Sequence, residues 1–136
     1  MTKRVLIIPI EITSRELDSR ILTIISLLQL NKNWNVYLGI SKKVKQYALD
    51  NFKNNYVLLE NSLNKGLLLK LYKKNNIKVF VLDEEDSIFT KYEEKNMPRH
   101  GLNNSAFNYI ERMFVWGEAR NQNLKKNHKD MVNKKI

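Results

Sequence analysis

The sequence has no cysteine, two prolines, four glycines and two histidines in 136 residues, and each scarcity removes a class of chemistry. Without cysteine there are no disulfides, thiolate metal ligands or cysteine nucleophiles, and the chain suits a reducing cytosol. The few glycines form no phosphate loop, because the dinucleotide fingerprint and the P-loop both need glycine where backbone approaches phosphate. The motif G-x-S-x-G is absent too, so no serine sits in a nucleophile elbow. Long apolar runs are also missing. The opening MTKRVLIIPIE is basic and then apolar, but the apolar run meets Glu11 after six residues, too short for a signal peptide or a membrane span. His100 and His128 have no ligand partners at metal spacing, so no metal centre is expected on them.

Acidic residues are scarce against basic ones, 14 to 24, which leaves a formal net charge of +10. Such an excess invites a nucleic-acid partner, since clustered Lys and Arg neutralise phosphates. The basic residues are mostly lysine and asparagine is abundant, a pairing that favours a plain solvated surface, and no specific nucleic acid is expected. A loose peripheral membrane contact through anionic lipid headgroups is a third reading of the same charge. With 43% hydrophobic residues the chain has enough apolar content for one compact domain over residues 1–136.

What is present is an alternation. Val5 to Ile10 is apolar and mostly β-branched, as in a strand covered on both faces. Thr13 and Glu16 have the T-x-x-E spacing of a capping box, which predicts a helix from about Ser14 to Leu30 with Leu17, Ile21, Ile24, Ile25 and Leu28 on its buried face. Trp34 to Ile40 is a second strand, Ser41 caps a helix over 42–53, and Tyr56 to Leu59 is a third strand. Leu67, Leu68, Leu71 and Tyr72 mark the next helix, and Lys78 to Leu82 a fourth strand. After a long irregular stretch, a short helix over 105–112, a fifth strand over 113–116 and a helix over 118–127 are expected, with Lys134 to Ile136 opening a further strand. Strand, helix, strand with short connections reads as repeated βαβ units with right-handed crossovers. The fold class is therefore α/β, a Rossmann-like three-layer sandwich around a mainly parallel sheet of about five strands.

Ligands of open α/β sheets bind beyond the carboxyl ends of the strands. At the end of the first strand stand Glu11 and, just inside the helix, Arg15 and Glu16. A carboxylate there repels phosphate and suits a hydroxyl-rich or cationic group. Asp83, Glu84, Glu85 and Asp86 follow the fourth strand, where they could hold a divalent cation or supply a general base whose pKa is raised by like charges. In a parallel sheet both strand ends lie on one edge, so Glu11 and Asp83 are expected to border one crevice. Trp116, at the end of the fifth strand, is a platform on which a sugar ring could stack.

Ile8 to Glu11 (I-P-I-E), Arg15 to Asp18 (R-E-L-D), Asp83 to Glu85 (D-E-E) and Trp116 to Glu118 (W-G-E) occur in the order in which the surface carbohydrate biosynthesis protein family carries them, and the chain resembles that family. The resemblance implies the amino-terminal, acceptor-side domain of a bacterial GT-B glycosyltransferase, whose carboxy-terminal domain would hold the nucleotide-sugar donor. It implies an acceptor glycan or glycolipid as partner, a cytoplasmic location, at the inner face of the membrane if membrane contact is made, and no cofactor of the chain's own. In that setting Glu11 or Asp83 would orient or deprotonate the acceptor hydroxyl. Arg15 would hold an anionic group, and Glu16, Glu84, Glu85 and Trp116 would complete the acceptor site. The competing expectation is a stand-alone carbohydrate-binding or self-associating α/β module, dimerising through an open sheet edge.

Overall fold

The computed structural model describes residues 3–61, 66–82, 104–115, 117–118, 121–122 and 126. Their elements follow the expected alternation: β1 (Arg4–Ile10), α1 (Thr13–Leu30), β2 (Trp34–Ile40), α2 (Ser41–Phe52), β3 (Val57–Glu60), α3 (Gly66–Lys74), β4 (Lys78–Leu82), a 3-10 helix (Asn104–Tyr109) and β5 (Arg112–Phe114). The strands form one five-stranded parallel sheet in the order β2-β1-β3-β4-β5. The chain steps from β1 to β2 in one direction and then returns to β3 on the other side of β1. That reversal makes the β1/β3 boundary the topological switch point, the place where doubly wound sheets open a crevice. No helix of the described residues is long and apolar enough to cross a membrane.

Two compact units make up the chain, Met1–Leu59 and Glu60–Ile136. In the first, β1 is fully buried from Leu6 to Ile10 and pairs with β2 along its whole length, from Arg4 opposite Trp34 to Ile10 opposite Ile40. Because the two crossovers are right-handed and run in opposite directions, α1 and α2 lie on opposite faces of the sheet. The α2 face is recognisable from its contacts: the Tyr37 ring lies 5.0 Å from that of Phe52 and 5.6 Å from that of Tyr47, and a Cβ on Gly39 would sit 3.5 Å from Val44. Side chains alternate along a strand and share a face across a parallel pair. Leu6, Ile8 and Ile10, with their partners Val36, Leu38 and Ile40, therefore belong to the α1 face.

On that face α1 departs from expectation. It begins at Thr13, its N-cap is Ile12, and no side chain caps it, so the T-x-x-E pair does not close as a capping box. The helix is turned about its axis so that its buried residues are Glu16 and Arg20, while Ile21 is 39% and Ile25 47% exposed. The cause is local. The Glu16 carboxylate accepts the N–H of Glu11 at 2.8 Å, one residue before the N-cap, and reaching back that far draws Glu16 inward. Of the expected apolar face, Leu17, Ile24 and Leu28 are then only half-buried, and Ile21 and Ile25 are left exposed.

The helix α2 starts at Ser41 without a side-chain cap and ends at Lys53, which has φ 44° and ψ 48°. Left-handed backbone costs a non-glycine residue on the order of 1–2 kcal/mol. Lys53→Gly is therefore expected to stabilise the protein by about 0.5–1 kcal/mol, after allowing for the extra chain entropy glycine loses on folding. A denaturant titration checks this as a raised midpoint at unchanged slope; a lowered midpoint would show that the Lys53 side chain contributes more than its backbone costs.

The second unit packs Leu69 and Tyr72 of α3, Ile77, Val79 and Val81 of the β4 region, Ala106, Phe107 and Ile110 around the 3-10 helix, and Met113 of β5, all buried. The Glu111 N–H donates to the Val79 carbonyl at 2.7 Å as the chain enters β5, and Phe80 stacks on Phe114 at 6.2 Å. Gly117 has φ 73°, and helical backbone recurs at 118, 121–122 and 126, within the helix expected over 118–127. The strand expected from Lys134 lies outside the described residues, as do His100 and His128.

Candidate functional site

The site candidate of the first unit is the turn from β1 into α1. Glu11 is the first residue beyond β1 and its side chain is exposed. Arg15 stands in the first turn of α1, with 41% of its side chain exposed, and its Nη2 lies 3.0 Å from Oε1 of Glu16. Glu16 is buried to 1% exposure and uses both oxygens, Oε2 for the Glu11 N–H and Oε1 for Arg15. Sequence reasoning placed these three residues together, and the fold does bring them together.

The electrostatics of Glu16 are a contest. Burial pushes its carboxyl up, but the Glu11 N–H, the Arg15 guanidinium and the Ile12 N–H together outweigh burial, and the net shift is downward. Its position near the positive end of the α1 dipole works in the same direction. Glu16 is accordingly an anion at neutral pH, suited to fixing the turn and not to moving a proton. Glu11 and Arg15 are the charged groups on the exposed surface of the turn, one acceptor and one cation, beside Ile12, Thr13 and Ser14.

Two further buried charges were not read from the sequence. Arg20 is 0% exposed on α1, and Glu60, the last residue of β3, is 0% exposed in the second unit. A signal for Arg20 was available: it stands four residues after Glu16, so the two share a helix face. Nothing in the local sequence marks Glu60, which simply ends an apolar strand. Asp83, Glu84, Glu85 and Trp116 lie outside the described residues, and with them the crevice expected between Glu11 and Asp83. Among the described residues no group of three or more His, Asp or Glu is arranged to hold a metal ion.

The chain matches no family model, no curated protein and no solved structure. A parallel sheet with a carboxylate and a guanidinium at the carboxyl end of β1, on a backbone held by an ionised buried glutamate, can bind a polar ligand through hydroxyl donors and an anionic substituent.

Proposed function

We propose that the chain is the acceptor-side domain of a glycosyltransferase-like protein of bacterial surface polysaccharide biosynthesis, and that the β1–α1 turn receives the acceptor glycan. The observation that carries this reading is the chemistry of the turn. At the switch point, where related architectures place glycines for a phosphate, the chain has Glu11, whose carboxylate accepts hydroxyl protons and repels phosphate. Glu11 then orients or deprotonates the acceptor hydroxyl, Arg15 holds an anionic substituent of the acceptor, and Glu16 positions the turn. Asp83, Glu84, Glu85 and Trp116 remain part of the proposal on the strength of the family resemblance.

Two measurements test it. Saturation-transfer NMR on the 136-residue chain is expected to show binding of an acidic saccharide that Glu11→Gln and Arg15→Gln both weaken; no transfer to any saccharide would remove the reading. In a transferase containing this domain and a donor domain, Glu11→Gln is expected to lower turnover at least about tenfold, a loss of ~1.4 kcal/mol of transition-state stabilisation. Saccharide binding with unchanged turnover would leave a carbohydrate-binding role without catalysis by Glu11.

A further inference from the structure

A stretch of the first unit is unlike the rest of the surface. From Ile21 to Ile40 there is one charged residue, Lys32, in a chain of which 28% is charged. The stretch holds the last three turns of α1 and the whole of β2, and much of it is exposed: Leu22 63%, Ile25 47%, Ile21 39%, Leu30 88% and Ile40 60%. The β2 residues of the α1 face, Val36, Leu38 and Ile40, are none of them fully buried, although their partners in β1 are. With Glu16 and Arg20 in the fully buried positions of α1, Leu17, Ile24, Leu27 and Leu28 are only half-buried and Ile21, Leu22 and Ile25 are exposed, on the helix that covers the same face of the sheet as this half-open strand.

We infer that this surface is where a second copy of the chain docks, joining two β2 strands edge to edge and two α1 helices face to face. Three observations choose the occupant. First, β2 ends the sheet among the described residues, and it has none of the usual protections of an edge: no charge, no proline and no bulge across its seven paired residues. A second β2 presents the same open hydrogen-bonding edge.

Second, a two-fold axis normal to the sheet, which antiparallel pairing of identical edges requires, keeps equivalent faces on one side. It brings α1 against its counterpart in the same step, so one symmetry operation covers both the strand and the helix. Third, the lack of charge disfavours the other occupants. Helices that lie on lipid carry Lys or Arg beside their apolar face, and nucleic acid needs cations; Ile21 to Leu30 has neither. Depletion of charge marks the core of protein interfaces. The helix also gives up little on being covered, because Thr23 and Ser26 already donate to the carbonyls of Ser19 and Leu22 at 2.8 and 2.9 Å.

The test is the mass in solution, by light scattering across a concentration series. The wild-type chain is expected at twice its 16.2 kDa, and added salt is expected to strengthen the dimer by screening the like charge of the copies. Ile25→Lys and Ile40→Lys should each weaken association roughly thirtyfold or more, as loss of a central contact does. Leu49→Lys, at a 44% exposed position on α2 at the opposite face of the same unit, should leave it unchanged. Amide exchange on the wild-type chain gives a second readout that needs no variant: the amides of β2 should slow as concentration rises. A single-copy mass at every concentration, a dimer indifferent to both patch variants, or exchange in β2 indifferent to concentration would each overturn the inference. Binding of the single copy to phosphatidylserine vesicles that Ile25→Lys abolishes would also overturn it, assigning the surface to lipid.

Discussion

Glu16→Ala is expected to destabilise the protein by about 1–3 kcal/mol at pH 7, because it removes a buried acceptor and leaves a part-buried backbone donor without its partner. The Glu11 N–H loses a 2.8 Å bond, and nothing of alanine's size can replace a carboxylate that is 1% exposed. The Arg15 contact adds little to this figure, since that side chain is 41% exposed and water screens the pair. Glu16→Gln separates charge from shape. Folding lowers the Glu16 pKa from its ordinary value of 4.5, so the stabilisation from its charge is present above the unfolded pKa and is lost as pH falls through the folded one. The advantage of wild type over Glu16→Gln should therefore be full above roughly pH 5 and close progressively below about pH 4. Denaturant unfolding of both proteins at pH 7 and pH 3 measures it; an advantage that grows in acid would mean that the carboxylate is a liability to the fold.

The same residue explains where sequence reading stopped. Trp34–Ile40 and Lys78–Leu82 were legible to the residue, because each is a short, largely apolar run set off by polar residues, Asn31 to Asn33 and Ser41 for the first, Asn75-Asn76 and Asp83 for the second. Strand ends depend on pairing and were less so. β1 gains Arg4, whose N–H donates to the Asn33 carbonyl at 3.1 Å, and β5 closes at Phe114. For α1 the apolar periodicity was read correctly as helix, yet the helix's rotation could not be read. T-x-x-E fits a capping box whichever backbone N–H the carboxylate finally takes, and with that of Glu11 taken, Glu16 lies inside, Leu17, Ile24 and Leu28 are half-buried and Ile21 and Ile25 are exposed. Nor could the order β2-β1-β3-β4-β5 be read, since a βαβ repeat does not say in which direction each crossover steps. At the candidate site, Glu11, Arg15 and Glu16 were legible because a short loop leaves them few places to go. Buried Arg20 was passed over, as charged residues normally lie at the surface.

Ile8→Ala is expected to cost about 2–5 kcal/mol, the range for emptying a fully buried large aliphatic site, and its contrast with Leu38 tests the asymmetry of the α1 face. Ile8 and Leu38 are register partners on that face, yet Ile8 is 0% exposed and Leu38 is only half-buried. Truncating Ile8 opens a cavity under α1 and against β3, in a fold whose total stability is on the order of 5–15 kcal/mol. Truncating Leu38 in the single copy removes a contact that water partly shared, and should cost well under half as much. The melting temperature should fall by roughly 10 °C for Ile8→Ala, at 2–8 °C for each kcal/mol in domains of this range of sizes. When two copies are joined through β2, Leu38 becomes an inner residue and its truncation cost should rise toward that of Ile8. A cost for Leu38→Ala that grows with protein concentration, while that of Ile8→Ala grows no further, is the signature of a face completed by a second copy. Equal costs at low concentration would show instead that α1 already covers β2 as well as it covers β1.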